Sequence, residues 1–243
     1  MALEMVMGIE KHAFRILHST GGKTSILSPE MKPTVHFPSE KMDHATPHRF
    51  VALAKRLGVA DGMARGIFGD LRDLYSEGHR AYHNLSHIDR MLGWLDAAGG
   101  GSEAVELAIW FHDAIYSPRG TQNEAKSAKY FADRLGPFIG EHLATEVERL
   151  IMATDHSRPR SGMYDEELII DTDLSILGSQ PDEYEAYRSA VRSEYAFVPE
   201  RDFVAGRRAI LGGFLSRPIF STAFFAKLEQ QARANIASEL ESL

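Results

Sequence analysis

Apolar residues recur along most of this chain at spacings of three and four, the pattern of helices that bury one face. Leu53 and Leu57 follow Phe50 in this way, and Met63, Ile67, Leu71 and Leu74 continue the series. Leu85, Ile88, Met91, Leu92 and Leu95 come next, closed by Gly99-Gly100-Gly101, with Ser102 placed to cap a following helix. The same spacing predicts helices near 103–116, 122–135, 138–154, 182–196, 200–215 and 221–241. Only Glu167 to Leu177, ELIIDTDLSIL, has β-like character. The expected fold is all-α, without internal repeats. Before Phe50 the pattern fails. Gly21-Gly22, Pro29, Pro33, Pro38 and Pro47 punctuate short polar pieces, so residues 1–46 read as a loosely structured leader and 47–243 as one domain.

Composition narrows the chemistry. The 243 residues include no cysteine, which excludes disulfides, cysteine nucleophiles, iron–sulfur clusters and thiolate zinc sites. What is left for acid–base or metal chemistry is 11 histidines and 34 carboxylates. Those carboxylates outnumber 27 lysines and arginines, and the formal charge of −7 has the wrong sign for a protein that binds nucleic acid through its phosphates. No apolar run approaches the roughly 18 residues of a membrane span, so no membrane partner is expected. Glu4 and Glu10 interrupt the N-terminus, which lacks a secretory pattern, and a cytoplasmic location is the default. Oligomeric state is left open, with a homo-oligomer among the options.

Four short stretches carry candidate chemistry. Ala104 to Tyr116, AVELAIWFHDAIY, is apolar on nearly every side, yet it contains His112 and Asp113. An ionised carboxylate in such surroundings needs a partner or a cation. Tyr82-His83-Asn84-Leu85-Ser86-His87 sets two histidines four apart, on one face if helical. That spacing is cheap, since His44 and His48 share it in the polar leader. Asp171 and Asp173 sit among apolar residues, where helix capping competes with metal binding. His156 closes Ala153-Thr154-Asp155-His156, where it could simply complement a helix C-terminus. Together these residues offer nitrogen and oxygen donors suited to Zn²⁺, Mn²⁺, Fe²⁺, Co²⁺ or Mg²⁺. Farther on, Tyr184, Tyr187 and Tyr195 with Arg188 and Arg192 read as core packing before pocket lining, and Arg207-Arg208 as surface charge before a phosphate contact.

In this order the motifs resemble the HD superfamily of metal-dependent phosphohydrolases, whose pattern is a histidine, a His-Asp doublet and a distant aspartate. The match from about Tyr75 to Leu177 is closer still to the cyclic-nucleotide phosphodiesterases: Tyr82-His83-Asn84-Leu85-Ser86-His87, His112-Asp113, Asn123-Glu124, Ala153-Thr154-Asp155 and Asp173-Leu174-Ser175. The region 49–241 resembles uncharacterised bacterial HD-type proteins. The resemblance implies an HD-domain-like helical bundle holding one or two divalent metal ions. It makes His87, His112, Asp113 and Asp173 the ligands of a first metal, with Asp113 able to bridge to a second, and places His156 at that second metal. It makes His83 the proton donor to the leaving oxygen. Glu124 is expected to orient water or the His83 ring, and Arg80, Asn84 and Lys126 to meet a small phosphorylated, nucleotide-like substrate. The phosphodiesterases carry a histidine where this chain has Tyr116 and a second asparagine where it has Glu124. The expected activity is hydrolysis of a phosphate mono- or diester. The alternatives are a silent metal- or nucleotide-binding regulatory module on the same scaffold, or a di-iron oxygenase.

Overall fold

Helix α4, Glu103–Phe111, explains the architecture, because its sequence EAVELAIWF has no polar residue after Glu106 in its first turn. Ala104, Val105, Leu107, Ala108, Ile109, Trp110 and Phe111 are all buried. Such a rod has to be surrounded. The computed structural model describes residues 44–243, so the leader expected over 1–46 falls outside the described residues except for its last three positions. Around α4 the chain wraps α1 (Pro47–Arg56), α2 (Asp61–Tyr75), α3 (Leu85–Ala97), α5 (Asn123–Arg134), α6 (Glu141–Ala153) and α7 (Tyr164–Asp173). A second layer follows in α8 (Pro181–Glu194), α9 (Glu200–Leu215) and α10 (Glu229–Ser242), with single 3₁₀ turns at Gly136–Phe138, Leu174–Gly178 and Phe225–Leu228. Helices α3, α5, α6 and α7 each pack against α4. Among the described residues there is no strand: the fold is an all-α bundle.

Local signals set most of the boundaries. Thr46 caps α1 by accepting the Arg49 N–H, with Pro47 at the first helical position, where its missing donor costs nothing. Ser102 accepts the Val105 N–H, as its place in the sequence predicts. Gly99 and Gly100 take φ values of 99° and 87°, a left-handed path that terminates α3 cleanly. The C-terminal stretch through Phe224, Phe225, Leu228 and Ile236 closes the bundle, with Phe224 partly buried and the other three fully or almost fully so.

Three expectations need correction. The ELIIDTDLSIL stretch is helical, running through α7 into a 3₁₀ turn. It looks strand-like because α7 is buried on most of its circumference, Glu166 to Thr172 included, and so lacks amphipathic contrast. The helix expected over 103–116 stops at Phe111. Arg207 is not surface charge: it is buried and donates to Glu239 at 2.8 and 3.1 Å, while the Tyr184 hydroxyl donates to the same carboxylate at 2.5 Å.

Gly178 lies where the first 3₁₀ turn after α7 meets the one before α10; a Cβ there would come within 2.6 Å of Leu228 Cβ and 3.1 Å of its carbonyl oxygen. Gly178→Ala should therefore destabilise the protein by about 1–3 kcal/mol. Gly212→Ala, in open space on α9, should stabilise it by about 0.5–1 kcal/mol. Urea unfolding of the two variants checks the opposite signs.

Candidate metal centre

Three helices end at the same place. Beyond the last residue of α4 come His112, its C-cap, and Asp113. Asp173 is the last residue of α7, and His156 lies just past the Thr154 C-cap of α6. The first turn of α3 brings His87 to the same point. Asp173 Oδ1 is 3.1 Å from His87 Nε2, and Asp113 Oδ2 is 3.1 Å from His112 Nε2. The two ring nitrogens are 3.3 Å apart, and the other face of Asp173 meets His156 Nε2 at 2.9 Å. His87, His112 and Asp173 thus present ligand atoms within 4.8 Å of one another, a group that could hold a metal ion. The negative ends of three helix dipoles add to its preference for a cation.

The orientation of His112 fits that role, while Nδ1 of His87 is buried with no hydrogen-bond partner among the described residues. His112 Nδ1 donates to the Ile109 carbonyl at 3.0 Å, which turns Nε2 toward the cluster. Burial opposes charge on this ring, but the carboxylates of Asp113 and Asp173 prevail and lift its pKa to about 9. On His87 burial wins, lowering its pKa and keeping the ring neutral. Both carboxylates lie well below the usual range: burial works against them, and the surrounding histidines more than offset it. The group is therefore a pair of carboxylates whose charge is balanced by whatever positive charge sits between them.

His83 does not share a helical face with His87. Asn84 caps α3 between them, accepting the Ser86 N–H and donating to the Ala81 carbonyl, so His83 belongs to an irregular segment. What orients it is Glu194, the last residue of α8. Oε1 of Glu194 accepts the backbone N–H groups of Ala81, Tyr82 and His83, and Oε2 accepts from His83 Nδ1 at 2.7 Å and from the Tyr116 hydroxyl at 2.8 Å. Tyr116 also stacks on the His83 ring, with centroids 4.2 Å apart. Burial pushes against charge on both partners, yet the mutual bond raises the His83 pKa and holds Glu194 down to about 2. Glu194 was missed by the sequence reading. Its signal was its position, three residues beyond Val191 and in line with Tyr184 and Tyr187, on a face otherwise given to burial.

The expected substrate contacts are placed differently from one another. Arg80 is buried, and it donates to the backbone carbonyls of His83, Asp113 and Ala114 and to Glu77, between the rings of Tyr75 and Tyr116. It staples two site segments together instead of facing a substrate. Asn84 is a helix cap. Lys126 is exposed on α5, whereas Glu124 is partly buried and within electrostatic reach of Asp155, Asp113 and His156. Burial, followed by those acidic neighbours, raises the Glu124 pKa. Asp171 has no part in the centre: fully buried, it accepts from the N–H groups of Ser221 and Thr222 and from Arg160. His44 bonds Asp96 while His48 is exposed, so that pair forms no site. A surface depression of about 440 Å³ lined by Asp70, Asp73, Leu74, Glu77, Tyr130 and Arg134 contains none of these groups.

The depressed Glu194 pKa stabilises the fold above its unfolded value of about 4.5, and that contribution is lost as pH falls toward about 2. The raised His83 pKa acts oppositely, stabilising below about 6.5 and fading as pH rises through the folded value. Glu194→Gln should therefore cost on the order of 2–3 kcal/mol near pH 6, with the deficit shrinking as pH falls below about 4.5. Urea unfolding of wild type and variant between pH 3 and 7, as approximate limits, reads the difference. No family model, curated protein or solved structure matches the chain, and the chemistry of the site is read from its own residues.

Proposed function

We propose that the chain is an HD-type metal-dependent phosphohydrolase acting on a small, nucleotide-like phosphate mono- or diester. The observation that carries this reading is the convergence of His87, His112, Asp113 and Asp173 beside His83, a histidine oriented by Glu194 and open at its second nitrogen. The four converging residues would hold a first ion, with nitrogen and oxygen donors suited to Mn²⁺, Mg²⁺, Zn²⁺, Co²⁺ or Fe²⁺. Asp113 and His156 would serve a second. When bound, such an ion supplies a water of lowered pKa and neutralises charge gathering on phosphoryl oxygens.

The protein's own groups supply the proton. His83 Nδ1 is committed to Glu194, so only Nε2 can give a proton to a leaving oxygen. The raised pKa favours the form of the ring that carries that proton. Tyr116 stacks on one face of the ring and donates to the same carboxylate oxygen, so both rings are tied to Glu194. Glu124, near Asp113 and His156, can receive or orient an attacking water. A silent binding module would have no use for a histidine so constrained, which favours turnover over binding alone.

Asp113→Ala and Asp173→Ala should each abolish stoichiometric metal by elemental analysis, and full retention in both would sink the centre as described. His83→Ala should keep the metal and lose about 10²- to 10⁴-fold in phosphate release. A panel of phosphate esters run with each of the candidate metals tests the reaction itself: no phosphate from any ester with any metal would refute hydrolysis.

A further inference from the structure

The proton donor and the ligand Asp113 of the proposed site come from different parts of the chain, and neither lies within a helix. His83 stands between the end of α2 and the start of α3, and Asp113 follows the end of α4. Proton transfer needs a donor within about 2.6–3.2 Å of the leaving oxygen, and a misplacement of about 1 Å can cost about 10²-fold. The two segments therefore have to be held in register.

One side chain joins them directly. Nη1 of Arg80 donates to the His83 carbonyl at 3.0 Å and to the Asp113 carbonyl at 2.7 Å, so a single nitrogen ties the backbone of the donor to that of the ligand. Nη2 donates to the adjacent Ala114 carbonyl at 2.9 Å, and Nε to Glu77 at 3.0 Å. These bonds use four of the five N–H groups that a guanidinium carries. The side chain is fully buried, and its guanidinium carbon lies 5.1 and 5.5 Å from the ring centroids of Tyr75 and Tyr116. Tyr75 is fixed in turn, its hydroxyl donating to the Trp110 carbonyl in the last turn of α4 at 3.1 Å. With its donors spent on the protein's own groups, Arg80 bears on a substrate only through His83 and Asp113.

We propose that Arg80 is a positioning residue for the proton-transfer step: by holding both carbonyls on one fork it sets the separation of His83 from Asp113, and with it the reach of His83 to the leaving oxygen. The inference rests on the phosphohydrolase reading. A lysine would keep the charge, but its single ammonium cannot reproduce the planar fork.

Arg80→Lys tests the fork. In cobalt-loaded protein the paramagnetic shifts of the His83 ring protons, assigned by their loss in His83→Ala, read where the ring stands relative to the ion; Arg80→Lys should change them while stoichiometric cobalt is retained. Hydrolysis is compared for the alkyl phosphate ester that wild type turns over fastest and for the matching p-nitrophenyl ester, whose leaving oxygen departs readily as an anion. Arg80→Lys should lower kcat on the alkyl ester by about tenfold or more with KM changed less than about twofold, and on the nitrophenyl ester by about threefold or less. In a His83→Ala background there is no donor to position, and the same change should cost less than about twofold on either ester. Glu77→Ala, which removes the partner of Nε at the solvent end of the clamp, should move the shifts and the ratio of the two rates in the same direction by about threefold, and it carries the test if Arg80→Lys does not fold. Unchanged shifts, or equal losses on the two esters that persist in the His83→Ala background, would leave Arg80 a structural residue only and the hydrolase reading intact. Wild type that takes up cobalt but hydrolyses no ester would refute both.

Discussion

Two carboxylates, Asp113 and Asp173, are held at one point inside a bundle whose central helix has no polar residue after Glu106, and the surroundings are arranged to keep their charge there. Isolated, either would cost several kcal/mol or take up a proton. Each instead meets an imidazole, and the two play different parts. His112 sits against Asp113 and is pulled toward its charged form, while burial holds His87 neutral. The C-terminal ends of α4, α6 and α7 carry the cluster's residues, and the negative ends of their dipoles add to its preference for a cation. The site is built to want positive charge, which is a physical requirement before it is a catalytic one.

Keeping that arrangement rigid falls to residues outside the cluster. The segment from Arg80 to Asn84 has no regular structure, so its backbone groups need partners from elsewhere. Glu194 takes three of its N–H groups in one carboxylate oxygen, and Arg80 takes the His83 carbonyl together with those of Asp113 and Ala114. These two buried charges tie the segment before α3 to the end of α8 and to the end of α4. His83 and Asp113 are consequently positioned by the same pair of clamps, and loss of either clamp would loosen both.

The sequence made the helices and the central motifs readable because each rests on local signals: spacing at threes and fours, a serine or threonine before a helix, glycines after one. The His/His-Asp/Asp order was readable for the same reason. Less local relations were not. Glu194 lies 111 positions from His83, and no short pattern connects them. Arg80 was misread because its partners are mostly backbone carbonyls, which leave no trace in the identity of the residues that carry them. Asn84, expected to meet a substrate, caps α3 instead, and such a cap needs only the next two residues. Helix α7 was obscured by burial itself: a helix covered on most sides loses the polar–apolar contrast by which it would be recognised.

The two flanks of the centre differ in charge, and the difference bears on how a ligand could lie. Glu124 lies within electrostatic reach of Asp113 and His156, and burial with acidic neighbours raises its pKa. His83, held by Glu194, stands beside Tyr116. A phosphate ester, were the centre to hold one, would find a proton donor at His83 and a group to orient water at Glu124, two neighbours that differ in kind. The net charge of −7 plays little part there. Screening confines exposed charges to roughly 8–10 Å, so the potential a ligand meets at the mouth is set by these neighbours and by whatever cation the centre holds.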